Sequence, residues 1–187
     1  SYSPNRNLTD RPWDDVLAEY IALAFDRSIS FSALYSRMVS ELCDTHVNSW
    51  YVPIFGGRFV PLMCQFAEDR LFVTDTCSLV PNNFEIGDEI ILIDSVSPIK
   101  RLDELAPYIP HSNRSSLLRD GSYATLLTAK NEACVEYVRG GKTYTTMISS
   151  VDGSKFVNRR FSSQNTSTKP GFKEVAGGIG YINISNL

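Results

Sequence analysis

The chain has 187 residues, a net charge of only −3, and 43% hydrophobic against 21% charged residues. That is enough apolar material for one domain or two small ones. No basic stripe runs along it, which argues against nucleic-acid and anionic-membrane partners, and no apolar run approaches the roughly 20 residues of a membrane-spanning helix. The opening segment SYSPNRNLTD has the features of neither a signal nor a transit peptide. Cys43, Cys64, Cys77 and Cys134 are widely spaced, without a C-x-x-C pair or histidines at zinc spacing, so no metal site is expected. Their apolar surroundings suit small buried hydrophobes.

Residues 9–26 read as an amphipathic helix. Thr9 or Asp10 can cap it, Pro12 fits its first turn, and Trp13, Val16, Leu17, Tyr20, Ile21 and Ala24 share one face. Residues 31–43 repeat the pattern with Phe31, Leu34, Tyr35, Met38, Val39 and Leu42, behind Ser30 as N-cap. The short connection predicts a helical hairpin. From Trp50 onward the period changes. GRFVPLMCQF, RLFVTDTC and GDEIILID are rich in β-branched and aromatic residues and are bounded by Gly, Pro, Asn and Asp. Glu68-Asp69 marks a turn between two of these runs. Ile90 and Leu92 are expected on one face of a central strand, with Ile91 and Ile93 on the other. LDELAPYI (102–109) reads as a short helix interrupted by Pro107. YATLLTA, EACVEYV and KTYTTMISS read as strands, the last two joined by a turn at Gly140-Gly141. Residues 152–173 are polar and read as a linker or long loop, followed by a final strand in GGIGYINISNL.

Three segments, in order, resemble the C-terminal processing (tail-specific, tricorn-core-like) family of serine peptidases. The helix at 31–43 runs into Cys43-Asp44-Thr45-His46, similar to that family's helix and Asp-x-His turn. Phe84-Glu85-Ile86-Gly87-Asp88-Glu89-Ile90-Ile91-Leu92-Ile93-Asp94 resembles a PDZ signature. Gly178-Ile179-Gly180-Tyr181-Ile182-Asn183-Ile184 resembles the strand that opens the catalytic domain. The resemblance implies an α+β protein. Its parts are an N-terminal helical cap (1–49), a PDZ-like small β-barrel or sandwich with short helices (50–151), and a linker with the first strand of a protease domain (152–187). It further implies a secreted serine endopeptidase as the parent, acting outside the cytoplasm on polypeptides without a cofactor. The nucleophilic serine and its lysine or glutamate partner would lie beyond these residues. Two departures stand out. Ile93-Asp94-Ser95 replaces the family's Ile-Asn-Gly, and residues 110–122 look like an insertion. A PDZ-like peptide-binding adaptor and a cell-surface interaction domain are the rival expectations.

His46 is the residue of most chemical interest. In relatives that use a Ser–His–Glu arrangement the base comes from this segment, since an imidazole can take a serine proton and return it to a leaving amine. Otherwise it interacts with the carbonyls at a helix C-terminus. Asp44, two residues earlier, either orients that imidazole or caps the turn. His111 sits in a loop context and is expected to be solvated. A peptide groove is the second candidate, with Arg58–Phe66 as the edge strand and Leu102–Ile109 as the flanking helix. Gly56, Gly57, Arg58 and Phe59 would face an incoming peptide C-terminus, the glycines offering backbone N–H groups as a small anion nest. The alternative is an ordinary hairpin turn with a solvated arginine.

Overall fold

The computed structural model describes residues 11–26, 29–47, 57–76, 83–153, 171–175 and 179–183. Helix α1 (Trp13–Asp26) and helix α2 (Phe31–Ser40) form the expected hairpin. Pro12 precedes α1, and its carbonyl accepts from the Asp15 and Val16 amides. Thr9 and Asp10 lie outside the described residues. The Ser30 hydroxyl accepts the Ala33 amide at 3.3 Å and caps α2 as the sequence suggests. Val16, Tyr20 and Leu34 are the buried contacts between the helices, flanked by Trp13, Leu23, Ile29 and Met38. The Tyr20 hydroxyl donates to Glu41 Oε1 at 3.1 Å; burial, with Glu41 beside it, pushes this phenol up to about 12.

The apolar face of α1 is wider than the surface that covers it. Leu17 and Ile21 are exposed, as are Phe25, Phe31 and Tyr35. A ten-residue partner helix covers the Val16–Tyr20 stripe and leaves the neighbouring one open. The last turn of α2 tightens, with Leu42 and Cys43 amides donating to the Val39 and Ser40 carbonyls, and Cys43 then turns left-handed (φ 48°).

The β part begins with β1 (Arg58–Phe59), β2 (Leu62–Ala67) and β3 (Arg70–Thr76). The single strand expected at Arg58–Phe66 is therefore broken at Val60-Pro61. Pro61 has no N–H to give a ladder, and the Val60 amide leaves for the Leu126 carbonyl at 2.9 Å. Strand β4 (Glu89–Ile93) follows, then α3 (Pro98–Leu105), a 3-10 turn at Ala106–Tyr108 and α4 (Arg114–Gly121). Next come β5 (Leu127–Thr128), β6 (Glu132–Arg139), β7 (Lys142–Ser149) and β8 (Val151–Asp152). A hairpin of β9 (Gly171–Val175) and β10 (Ile179–Asn183) completes the described elements. The polar stretch thus supplies a strand, β9, where the sequence suggested only a linker.

The main sheet is antiparallel, ordered β2-β3-β4-β6-β7, and a smaller sheet is ordered β5-β1-β8. The fold class is α+β, and among the described residues no barrel closes. Leu62, Cys64, Leu71, Ile90, Ile93, Leu126 and Val135 are part of one buried cluster under the main sheet. Within it Cys64 is fully enclosed, and desolvation pushes its thiol pKa upward.

Strand β4 departs from simple alternation. Ile90 faces Tyr137 and Leu92 faces Glu136, so the register shifts between them. This bulge inserts one residue. It returns Ile93 to the core side with Ile90, while Ile91 and Leu92 are only half-buried. The turn after β4 is left-handed at two residues that are not glycine, Asp94 (φ 50°) and Ser95 (φ 67°). Asp94 Oδ1 accepts the Cys134 amide at 3.0 Å.

The expected helix at 102–109 begins four residues earlier. Ser97 caps it with Pro98 in the first turn, and Pro107 falls in the 3-10 turn that ends it. The insertion expected at 110–122 is largely helix α4, capped reciprocally by Asn113 and Ser116. Helix α2 rests on the 3-10 turn, where Ser40 Oγ donates to the Pro107 carbonyl.

Candidate active site and peptide groove

The segment after α2 places Asp44 and His46 together. The Asp44 side chain is 10% exposed, and its Oδ1 lies 3.0 Å from both the His46 amide nitrogen and His46 Nδ1. The Val47 amide donates to the Asp44 carbonyl and closes the turn. An ionised carboxylate only accepts, so Nδ1 carries the proton in this pair and Nε2 of the neutral ring is left with its lone pair. The His46 side chain is 93% exposed. Among the described residues its ring bonds to Asp44, not to the carbonyls that end α2. Those are engaged by the amides of Glu41, Leu42 and Cys43. The arrangement presents a basic nitrogen outward from a fixed ring, the geometry a general base needs.

The second candidate site is rearranged relative to expectation. Gly56 lies outside the described residues. Gly57 is left-handed (φ 71°), and its carbonyl accepts the Gly153 amide at 2.7 Å. Strand β1 is a central strand, paired with β5 on one side and β8 on the other. Arg58 does not point into solvent: its Nε donates to Ser150 Oγ at 2.7 Å and its Nη2 to the Ser150 carbonyl at 2.8 Å. Phe59 is half-buried and tilts against Tyr123, with ring centroids 6.5 Å apart. Gly57, Arg58 and Phe59 thus hold the small sheet together.

Among the described residues the free edge in this region is β2, which ends the main sheet. The helix that packs on it is α4. Helix α3, which holds most of the expected Leu102–Ile109 segment, packs on β3 and β4 instead. Gly121, the last residue of α4, sits so close to α3 that a Cβ there would come within 2.3 Å of Leu102 Cδ1. This contact sets α4 in place beside the edge. Sequence reasoning missed α4, the helix that packs on β2. Its signal was the Asn113-x-x-Ser116 box, which differs from the usual form by a serine in place of glutamate or glutamine.

Another turn is built around a carboxylate. Asp88, 2% exposed, accepts the Glu85 amide at 2.8 Å and a forked pair from Arg139 at 2.7 and 2.6 Å. Arg139 also reaches the Asn83 carbonyl and Glu85 Oε1. Burial alone would push the Asp88 carboxyl up; the hydrogen bonds from Arg139 and Glu85 outweigh it and hold the group below its ordinary value. His111 is half-buried rather than solvated, with Nδ1 2.7 Å from the Ile109 carbonyl.

No family model matches the sequence, and no curated protein matches it. Solved structures share the fold. Mature CPAF, a chlamydial protease, superposes with a TM-score of 0.56 at 15% identity over 78% of this chain. A serine-to-alanine mutant of CPAF superposes with a TM-score of 0.56 at 12% identity over 79%. In each case the match spans 30% of the other chain, so this chain corresponds to under a third of their length. The likeness is one of fold. Among the described residues, no helix is long and apolar enough to cross a membrane.

Proposed function

We propose that this chain is the front portion of a serine endopeptidase, contributing the general base and the surface that receives the polypeptide. The observation that carries the proposal is the His46 ring, fixed through Nδ1 by buried Asp44 and open at Nε2. The shared fold with part of a protease supports it. In this reading the attacking serine belongs to a part of the parent protein outside these 187 residues. Nε2 of His46 takes the serine proton as Oγ attacks the scissile carbonyl, and returns it to the leaving amine. Asp44 stabilises the imidazolium that forms in between. The edge of β2 beside α4 holds the substrate in extended form by backbone pairing. Action outside the cytoplasm goes with the family resemblance, and fractionation of expressing cells tests it.

The decisive experiment replaces His46 in the parent protease. His46→Ala is expected to reduce cleavage of unfolded casein by about 10²–10⁴-fold. Because the side chain is solvated, the unfolding midpoint should stay where it is. Full turnover in a well-folded variant would remove His46 from the mechanism and leave a serine–lysine dyad as the surviving chemistry.

A further inference from the structure

Ser40 stands four residues before Asp44, at the point where helix α2 meets the β unit. Ala33, Ser36 and Ser40 fall at i, i+3 and i+7 and share one face of α2, while Leu34 and Met38 face α1. Ala33 and Ser36 are buried, and the helix packs on the 3-10 turn Ala106–Tyr108. The Ser40 hydroxyl lies within hydrogen-bond reach of two carbonyls, Arg37 in its own helix at 2.7 Å and Pro107 in that turn. It has one proton to donate. Arg37 is the ordinary local acceptor for a helical serine. Pro107 lies 67 residues away in the sequence, so its bond ties two elements together.

The same residue holds the start of the turn that carries His46. The Ser40 carbonyl accepts the Cys43 amide at 3.1 Å, and left-handed Cys43 (φ 48°) directs the chain out of the helix into Asp44. Asp44 Oδ1 in turn accepts the His46 amide and faces Nδ1, each at 3.0 Å. Direct contacts therefore run from the Pro107 carbonyl through Ser40 and Cys43 to the imidazole. The next residue after Ser40, Glu41, is held from α1 by the Tyr20 hydroxyl. Tyr20 fixes the helix end within the hairpin, and Ser40 fixes it against the β unit. The His46 side chain is 93% exposed, so the backbone beneath it, rather than packing around it, decides where Nε2 stands. Displacing a reacting group by about 1 Å through a change far from the chemistry can cost roughly 10²-fold in rate.

We infer that Ser40 is a positioning residue for the general base: its hydroxyl, held by the Pro107 carbonyl, sets the end of α2 against the β unit and with it the place of His46. This rests on the proposed role of His46 and deepens it. The test is made in the parent protease. Ser40→Ala keeps the helix, since alanine is the best helix former, and removes only the hydroxyl. It is expected to lower kcat on unfolded casein about tenfold or more, with KM within about twofold of wild type. Ser40→Thr restores a hydroxyl and should return most of the lost kcat. Ile91→Ala, a mild loss of stability placed in β4, should leave kcat unchanged. An equal fall in Ser40→Ala and Ile91→Ala would overturn the inference, because stability alone would then explain it. So would a Ser40→Thr variant as slow as Ser40→Ala. Unchanged kcat in Ser40→Ala, beside an inactive His46→Ala, would overturn the positioning role and leave the base standing. Unchanged kcat in both would remove the base and this role with it.

Discussion

Asp44 and Asp88 are both buried carboxylates at the centre of a turn, both accept a backbone amide from the turn they close, and both face a basic side chain. Their partners make the difference. Arg139 is forked onto Asp88 and tied further to Asn83 and Glu85, so the pair clamps the end of β6 to the turn that enters β4. Among the described residues His46 has only Asp44 to hold its ring, and it turns its remaining nitrogen to solvent. One carboxylate is spent entirely on shape. The other fixes a ring whose free side is available for chemistry. The same acid in the same kind of turn serves stability or function according to whether the basic partner is saturated.

The sharpest way to break this contrast is Asp44→Asn in the parent protease. Asparagine keeps an oxygen for the His46 amide, so the turn should survive and the thermal midpoint should hold. It cannot stabilise the imidazolium, and cleavage of casein is expected to fall by about 10²–10⁴-fold. Unchanged turnover would make Asp44 a turn residue only, of the same kind as Asp88.

The stability side of the comparison has its own tests. Ile93→Ala removes a side chain that the β4 bulge buries completely, and should cost about 2–5 kcal/mol in urea unfolding. Ile91→Ala, on the half-buried inserted residue, should cost roughly 1 kcal/mol. Equal losses would mean that the strand alternates without a bulge. For Asp88 the pH dependence is fixed by sign. Its carboxyl is held below the unfolded-chain value of about 3.9, so its contribution is present in full above that pH and is lost as pH falls through the lower folded value. Asp88→Asn should therefore weaken the protein at neutral pH, and its deficit against wild type should shrink as the urea midpoint is followed down toward pH 2. A deficit that stays constant with pH would take charge out of the clamp. The smallest effect is expected at Ser95, whose left-handed backbone penalises any side chain. Ser95→Gly should stabilise by roughly 0.5–1 kcal/mol, the relief of strain being partly offset by the freer unfolded chain.

The features that the sequence made legible are local ones. The two first helices, the Ser30 cap and the hairpin turns at Glu68-Asp69 and Gly140-Gly141 follow from periodicity and turn chemistry, which depend on neighbours in the chain. The adjacency of Asp44 and His46 was visible for the same reason, as a spacing of two. The features that escaped are those set by distant partners. Nothing in Arg58-Phe59 announces pairing with Leu127-Thr128 and Val151-Asp152, and those pairings turn an expected edge into a centre. The β4 bulge is invisible in an all-apolar run, because no polar residue marks the change of face. Helix α4 was hidden by a polar, serine-rich composition with few apolar positions to count. Leu17 and Ile21 show the converse: the period placed them correctly on a face, but the narrowness of α2 decides how much of that face is covered.

Cys64 gives the molecule an internal clock. Its sulfur lies in the core while its backbone forms part of the outer edge of the main sheet, and only the thiolate, disfavoured by its surroundings, reacts with alkylating agents. Labelling by iodoacetamide can therefore proceed only during excursions that lift β2 away from the sheet. Cys43 and Cys134 are half-buried and should label through smaller fluctuations. The ratio of slow to fast labelling reports how often the outermost strand detaches, without any probe being introduced. An extended segment laid along that strand should slow the Cys64 reaction and leave the other two unchanged. A chemical rate at a residue that never touches the ligand's side chains would then measure occupancy of the edge.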